Sequence, residues 1–129
     1  MIPRFICTLI FCCTIVVGFS AVQTVAPHAL GNVDGFLAYI AIYVVLGFVA
    51  RCVLGSAAWA LAAVVCTGFV DGASAPTVGA LAARRTPSID EISGPWALLS
   101  VLAGLVRGTI VGAIGVVAAA LVQLRRVRR

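Results

Sequence analysis

Four apolar runs, set apart by short polar connections, decide what this chain can become. They cover residues 5–22, 36–54, 57–70 and 96–124. Crossing ~30 Å of hydrocarbon takes about 20 apolar residues in a helix rising ~1.5 Å each. Inside hydrocarbon, a helix meets all its backbone hydrogen bonds within its own segment. The expectation is an all-α, integral membrane bundle of about four transmembrane helices, forming one domain over residues 1–129. The spans are placed near 5–22, 36–54, 57–71 and 100–124, with an outer loop over 72–95. Only 10% of residues are charged, against about 25% in soluble domains, so a water-soluble globule is excluded.

The first run also has the outline of a signal peptide. Arg4 precedes an apolar core, and Gly18 and Ser20 follow as small residues near a cleavage position. A single charge is a weak leader and Phe19 fits such a site badly, so a retained helix is the preferred reading. Gly55 and Ser56 offer a turn between the second and third runs. The third run is short, at roughly 21 Å for its length, which puts Asp71 near the membrane boundary. The stretch from Asp71 to Pro95 is rich in Gly, Ser, Thr and Pro and reads as a loop, with a short helical turn near 78–83.

The arginines set an orientation. The chain has nine arginines and no lysine, and cytoplasmic connections carry the excess of positive charge. With Arg125, Arg126, Arg128 and Arg129 inside, four spans also place Arg4 and Arg51 inside, against Arg84 and Arg85 outside. Both termini are then cytoplasmic, in the plasma (inner) membrane. A basic stub after an apolar helix faces anionic lipid, and no folded polar surface remains for nucleic acid. Eighteen residues, roughly 27 Å of helix, separate Arg107 from Arg125. That places Arg107 near the outer boundary, where its side chain can snorkel, with Trp96 as an interfacial anchor.

Gly104, Gly108, Gly112 and Gly115, followed by Ala119, fall on one helix face. Such a face admits close backbone approach, either within the bundle or as the seam of a homo-oligomer, alongside membrane lipids as the general partner. Cys7, Cys12, Cys13, Cys52 and Cys66 show no C-x-x-C spacing and read as small apolar packing residues. The sequence points to no metal and no cofactor. It also offers no Ser–His–Asp spacing and no phosphate-cradling glycine loop. His28 stands alone beside Pro27 and reads as a hydrated loop residue, and Asp90 with Glu91 as solvated neighbours.

The charges are concentrated. Asp34, Asp71, Arg84, Arg85, Asp90, Glu91 and Arg107 all belong to the outer side in this topology, and "RRTPSIDEISGPW" (84–96) alone carries four of them. Two readings stand beside each other: a hydrated rim with weak salt bridges, or a binding layer formed by Asp34, Asp71, Arg84, Arg85, Asp90 and Arg107. "FSAVQTVAPHALGNVDGFLAYIAIYVVLGF" (19–48) resembles the start of VanZ-like membrane proteins. In that family an outer Ser- and Pro-containing segment leads to an Asp and an aromatic-rich second span with a Leu-Gly pair, matched by Asp34, Phe36, Tyr39, Leu46 and Gly47. The Asp after the third span is matched by Asp71, and the Arg, Ser and Asp that open the fourth helix by Arg84 or Arg85, Ser88 and Asp90. Gly35 and Gly72 stand where the family carries a His and a Glu. The resemblance implies a small multi-span envelope protein linked to teicoplanin-type glycopeptide resistance, whose outer polar layer binds a lipid or envelope component. The alternatives are an accessory subunit or holin-like oligomer, and a small ion-coupled transporter. The last is disfavoured at this level because no Asp, Glu or His lies midway along a run.

Overall fold

A computed structural model describes residues 2–26 and 32–127 of the protein. Among these the fold is all-α, with no strand. Helix α1 spans Ile2–Val25, α2 Asn32–Leu54, α3 Ala57–Ala82, α4 Ile89–Ser93 and α5 Pro95–Val106. A π-helical turn, Arg107–Val111, joins α5 to α6, Gly112–Val127, so the last span is one continuous rod. Four of these helical units are long and apolar enough to cross a membrane, and the protein is a multi-pass membrane protein. His28 and its proline lie outside the described residues, as do Arg128 and Arg129.

The surface bears out that solvent. Phe11, Leu37, Phe69, Leu98, Ile110 and Val117 all point outward, a continuous apolar coat that water would not tolerate. Threonines within the spans are satisfied locally: Thr14, Thr67 and Thr109 donate to the carbonyls of Ile10, Ala63 and Leu105 at 2.8, 2.8 and 2.7 Å. Helix α1 starts beside the start of α3, with Phe5 edge-on to Trp59 at 5.2 Å between ring centroids. It ends beside the start of α2, where Phe19 meets Tyr39 at 5.3 Å. Val116 of α6 packs with Ala50, Leu54, Ala60 and Ala63, so α6 ends near the α2–α3 turn. The start of α1 and the end of α6 therefore share that end of the bundle. Gly55 makes the turn: its φ of 70° is open to glycine and costly for other residues.

The main departure from the sequence reading is α3. The sequence predicts a third span over 57–71 with a loop over 72–95, yet the helix continues to Ala82, and the connection is confined to 83–88 before α4. Glycine, serine and Pro76 gave this stretch a loop-like composition. Packing against the last span keeps it helical, and low water activity near the membrane favours internally bonded backbone. Ser74 Oγ donates to the Asp71 carbonyl at 3.1 Å, just before Pro76.

What holds the bundle is backbone-to-backbone contact. A Cβ on Gly104 would collide with the Gly68 carbonyl oxygen, and one on Gly72 with the Ser100 carbonyl. At Gly108 it would lie 2.5 Å from the Val64 carbonyl oxygen and 3.2 Å from the Gly68 Cα. Gly68 and Gly72 form a G-x-x-x-G on α3 that meets Gly104 and Gly108 of the last span. Lower down, the face changes partner. Gly115 lies against the Val44 carbonyl of α2, and Gly47 of α2 against that of Gly112. The glycine face is thus filled from within the chain.

Candidate functional site

Asp71 sits fourteen residues after Ala57, inside a 26-residue helix rather than at its edge, and is 2% exposed. A carboxylate so placed must be bonded or paired. Helix α2 supplies the bonds. Tyr39 Oη donates to Asp71 Oδ1 at 2.6 Å, and Tyr43 Oη donates to Oδ2 at 3.2 Å. The two tyrosines are four residues apart, hence on one face of α2, and their rings stack at 6.0 Å. They are the only tyrosines in the chain.

The last span supplies the cation. Arg107 Nη2 stands 3.7 Å from Asp71 Oδ2, and its side chain is 36% exposed. Its guanidinium carbon lies 4.8 Å from the centroid of the Tyr39 ring, a distance suited to cation–π attraction. Arg107 also opens the π-helical turn. Such turns insert an extra residue into a helix and recur at functional positions. Here the turn lies between the part of the rod that packs on α3 and the part that packs on α2.

The depth of the site can be counted two ways. Along α3, fourteen residues from Ala57 give ~21 Å, and back along α6, eighteen residues from Arg125 give ~27 Å. Against a core of ~30 Å, the cluster lies within roughly the last 3–9 Å of hydrocarbon, below the end that carries the α3–α4 connection.

The remaining charges of the expected layer go elsewhere. Arg85 forms a forked pair with Glu91, Nη1 donating to Oε2 at 2.6 Å and Nη2 to Oε1. Glu91 also accepts from the Ser88 N–H at 2.9 Å, while Ser88 Oγ accepts from the Glu91 N–H at 3.2 Å. That reciprocal arrangement is a capping box, and it starts α4. The Arg85 guanidinium, followed by the Ser88 N–H, pulls the Glu91 carboxyl down to about 2. The Arg85 guanidinium is correspondingly raised by Glu91. Arg84 is exposed, and its φ of 54° places it where a helix C-terminus usually has glycine. Around it, the Arg84 N–H donates to the Leu81 carbonyl and the Arg85 N–H to that of Ala80. Asp34 and Asp90 are exposed. Among the described residues neither joins the cluster. Of the six expected residues, the structure brings together Asp71 and Arg107.

Tyr39 and Tyr43 were missed as site residues, although a signal was present. Two phenols one turn apart in the middle of an apolar run each need a partner for the hydroxyl. Asp71 stands in mid-helix because α3 does not stop there, yet by depth it lies near one boundary rather than midway across the hydrocarbon.

Comparison with family models, curated proteins and solved structures gave no match.

Proposed function

We propose that this is a VanZ-like protein of the plasma-membrane envelope, linked to teicoplanin-type glycopeptide resistance. In this reading its Asp71–Tyr39–Arg107 cluster binds a lipid or envelope component from the outer side. The observation that carries the reading is the hydrogen bond between Tyr39 and Asp71. These are two of the residues on which the resemblance rests, one from the second span and one from the third. Both termini are cytoplasmic in this proposal, supported by Arg4, Arg51, Arg125 and Arg126 at one end of the bundle against Arg84 and Arg85 at the other. In a strain lacking the gene, teicoplanin susceptibility should change, and the parent gene should restore it while Arg107→Gln, at equal abundance, should not. Unchanged susceptibility in the deletion strain removes the glycopeptide link.

A second reading is favoured by the burial of Asp71 within α3. Ionisable side chains inside spans mark proton and ion paths, so a small ion-coupled transporter stands beside the first proposal. Proteoliposomes carrying an internal pH dye distinguish the two. Proton uptake that requires Asp71 supports transport, and its absence leaves the binding role.

A further inference from the structure

We propose that Arg107 is a receptor for a phosphate-ester anion, specifically the headgroup of a membrane lipid approaching from the side. The proposal rests on the reading of this cluster as a binding site and names the chemistry of its ligand. Donors and acceptors at the site are unequal in number. Asp71 is the acceptor, and each of its oxygens accepts one bond, Oδ1 from Tyr39 and Oδ2 from Tyr43. Arg107 brings five N–H groups. Its Nε donates to the Ala103 carbonyl at 3.3 Å. Its Nη2 is 3.7 Å from Asp71, outside hydrogen-bonding distance. Among the described residues, the four protons on the terminal nitrogens therefore have charge nearby but no bonded acceptor. The surplus is in donors, in the planar fork that matches phosphate oxygens.

The surroundings select the carrier of that anion. Tyr39 covers one face of the guanidinium, while the side chain remains 36% exposed. On the same rod, inward of Arg107, Ile110, Ile114 and Val117 are 60%, 55% and 56% exposed, an apolar surface toward the bilayer centre that suits an alkyl chain. The depth of roughly 3–9 Å below the hydrocarbon boundary is reached from above by a dipping headgroup or by the arginine snorkelling upward. A soluble anion would have to leave water to arrive there. Asp71 holds Arg107 in place and competes with the incoming anion for it. Removing the Asp71 charge should therefore strengthen binding, whereas damage to the fold would weaken it.

The test uses the full chain in neutral maltoside micelles, with dodecyl phosphate as probe and native mass spectrometry as readout. The expected result is one dodecyl phosphate per chain, with equimolar inorganic phosphate failing to displace it. Arg107→Gln should weaken binding by about tenfold or more, as the loss of a charge-assisted fork implies. Arg107→Lys, which keeps the charge without the fork, should fall between. Asp71→Asn should bind several-fold more tightly. Equal binding by the parent and a folded Arg107→Gln overturns the proposal, and so does weaker binding in Asp71→Asn that remains folded. Displacement by equimolar inorganic phosphate overturns the lipid source and keeps the anion site. Since no step depends on glycopeptide susceptibility, failure here leaves the envelope proposal standing, and the converse also holds.

Discussion

Substituting alanine at Gly108 tests the packing seam with a single methyl group. The new Cβ would lie 2.5 Å from the Val64 carbonyl oxygen, whereas ordinary contact begins at 3.4 Å. The obstruction is backbone on a neighbouring helix, so no rotamer change relieves it, and α3 must retreat by about 0.9 Å (3.4 minus 2.5). A gap of that size forfeits a quarter to a half of each dispersion contact along the seam. Overpacking of this kind costs about 1–3 kcal/mol, occasionally more, while replacing glycine with alanine inside a helix returns up to about 1 kcal/mol. The net loss is about 1 kcal/mol, or roughly 3–5 °C in melting temperature for a chain of this size. The internal control is Gly79→Ala, since nothing lies within 4 Å of the Cβ there. It keeps only the helix gain and should melt at or slightly above the parent. Heating in detergent, followed by size-exclusion chromatography of the surviving monodisperse protein, reads both. If Gly108→Ala melts with the parent, or falls no further than Gly79→Ala, the close approach of the two spans is wrong.

Arg84→Gly removes a side chain from a left-handed position and should raise stability by up to about 1 kcal/mol, seen as a small upward shift in the same melting assay. The Arg85–Glu91 pair should respond to acid with a defined sign. Glu91 ionises more readily in the fold, at about 2 against an ordinary 4.5, so its stabilising contribution is complete above pH 4.5 and is lost as pH falls toward 2. Amide exchange in Ile89–Ser93 should accelerate relative to the parent core over that window, and Glu91→Gln should abolish the pH dependence. Cysteine labelling checks the topology: in a Cys-free background, Ser88→Cys should react with an impermeant maleimide in intact cells, and a cysteine added at the C-terminus should not.

The spans were legible because hydrocarbon demands long apolar helices, and the four runs carry that demand in plain composition. The end of α3 was not. A run that meets Asp71 and then Gly, Ser and Pro has the composition of a loop, and only the facing helix shows otherwise. The glycine face is visible in the sequence at Gly104, Gly108, Gly112 and Gly115, but its partner, Gly68 and Gly72 of α3, is set by the register of a span distant in sequence. The candidate site was half visible. Asp71 and Arg107 stood out as charges in apolar surroundings, while their pairing depends on the register of spans far apart in sequence. Arg85 was drawn away by a local solution, the capping box at Ser88 and Glu91, which a three-residue spacing encodes.

The most direct test of the central claim is a double-mutant cycle between Asp71 and Arg107. Stability of Asp71→Asn, Arg107→Gln and the double variant would be measured by equilibrium unfolding in mixed micelles. A buried carboxylate and the arginine over Tyr39 should be coupled, so the double variant should be less destabilised than the sum of the singles by about 1–3 kcal/mol. Tyr39→Phe should reduce that coupling, because Tyr39 both bonds Asp71 and carries the guanidinium on its ring. Additivity within about 0.5 kcal/mol would mean that the two charges do not meet, contradicting the site and everything proposed from it.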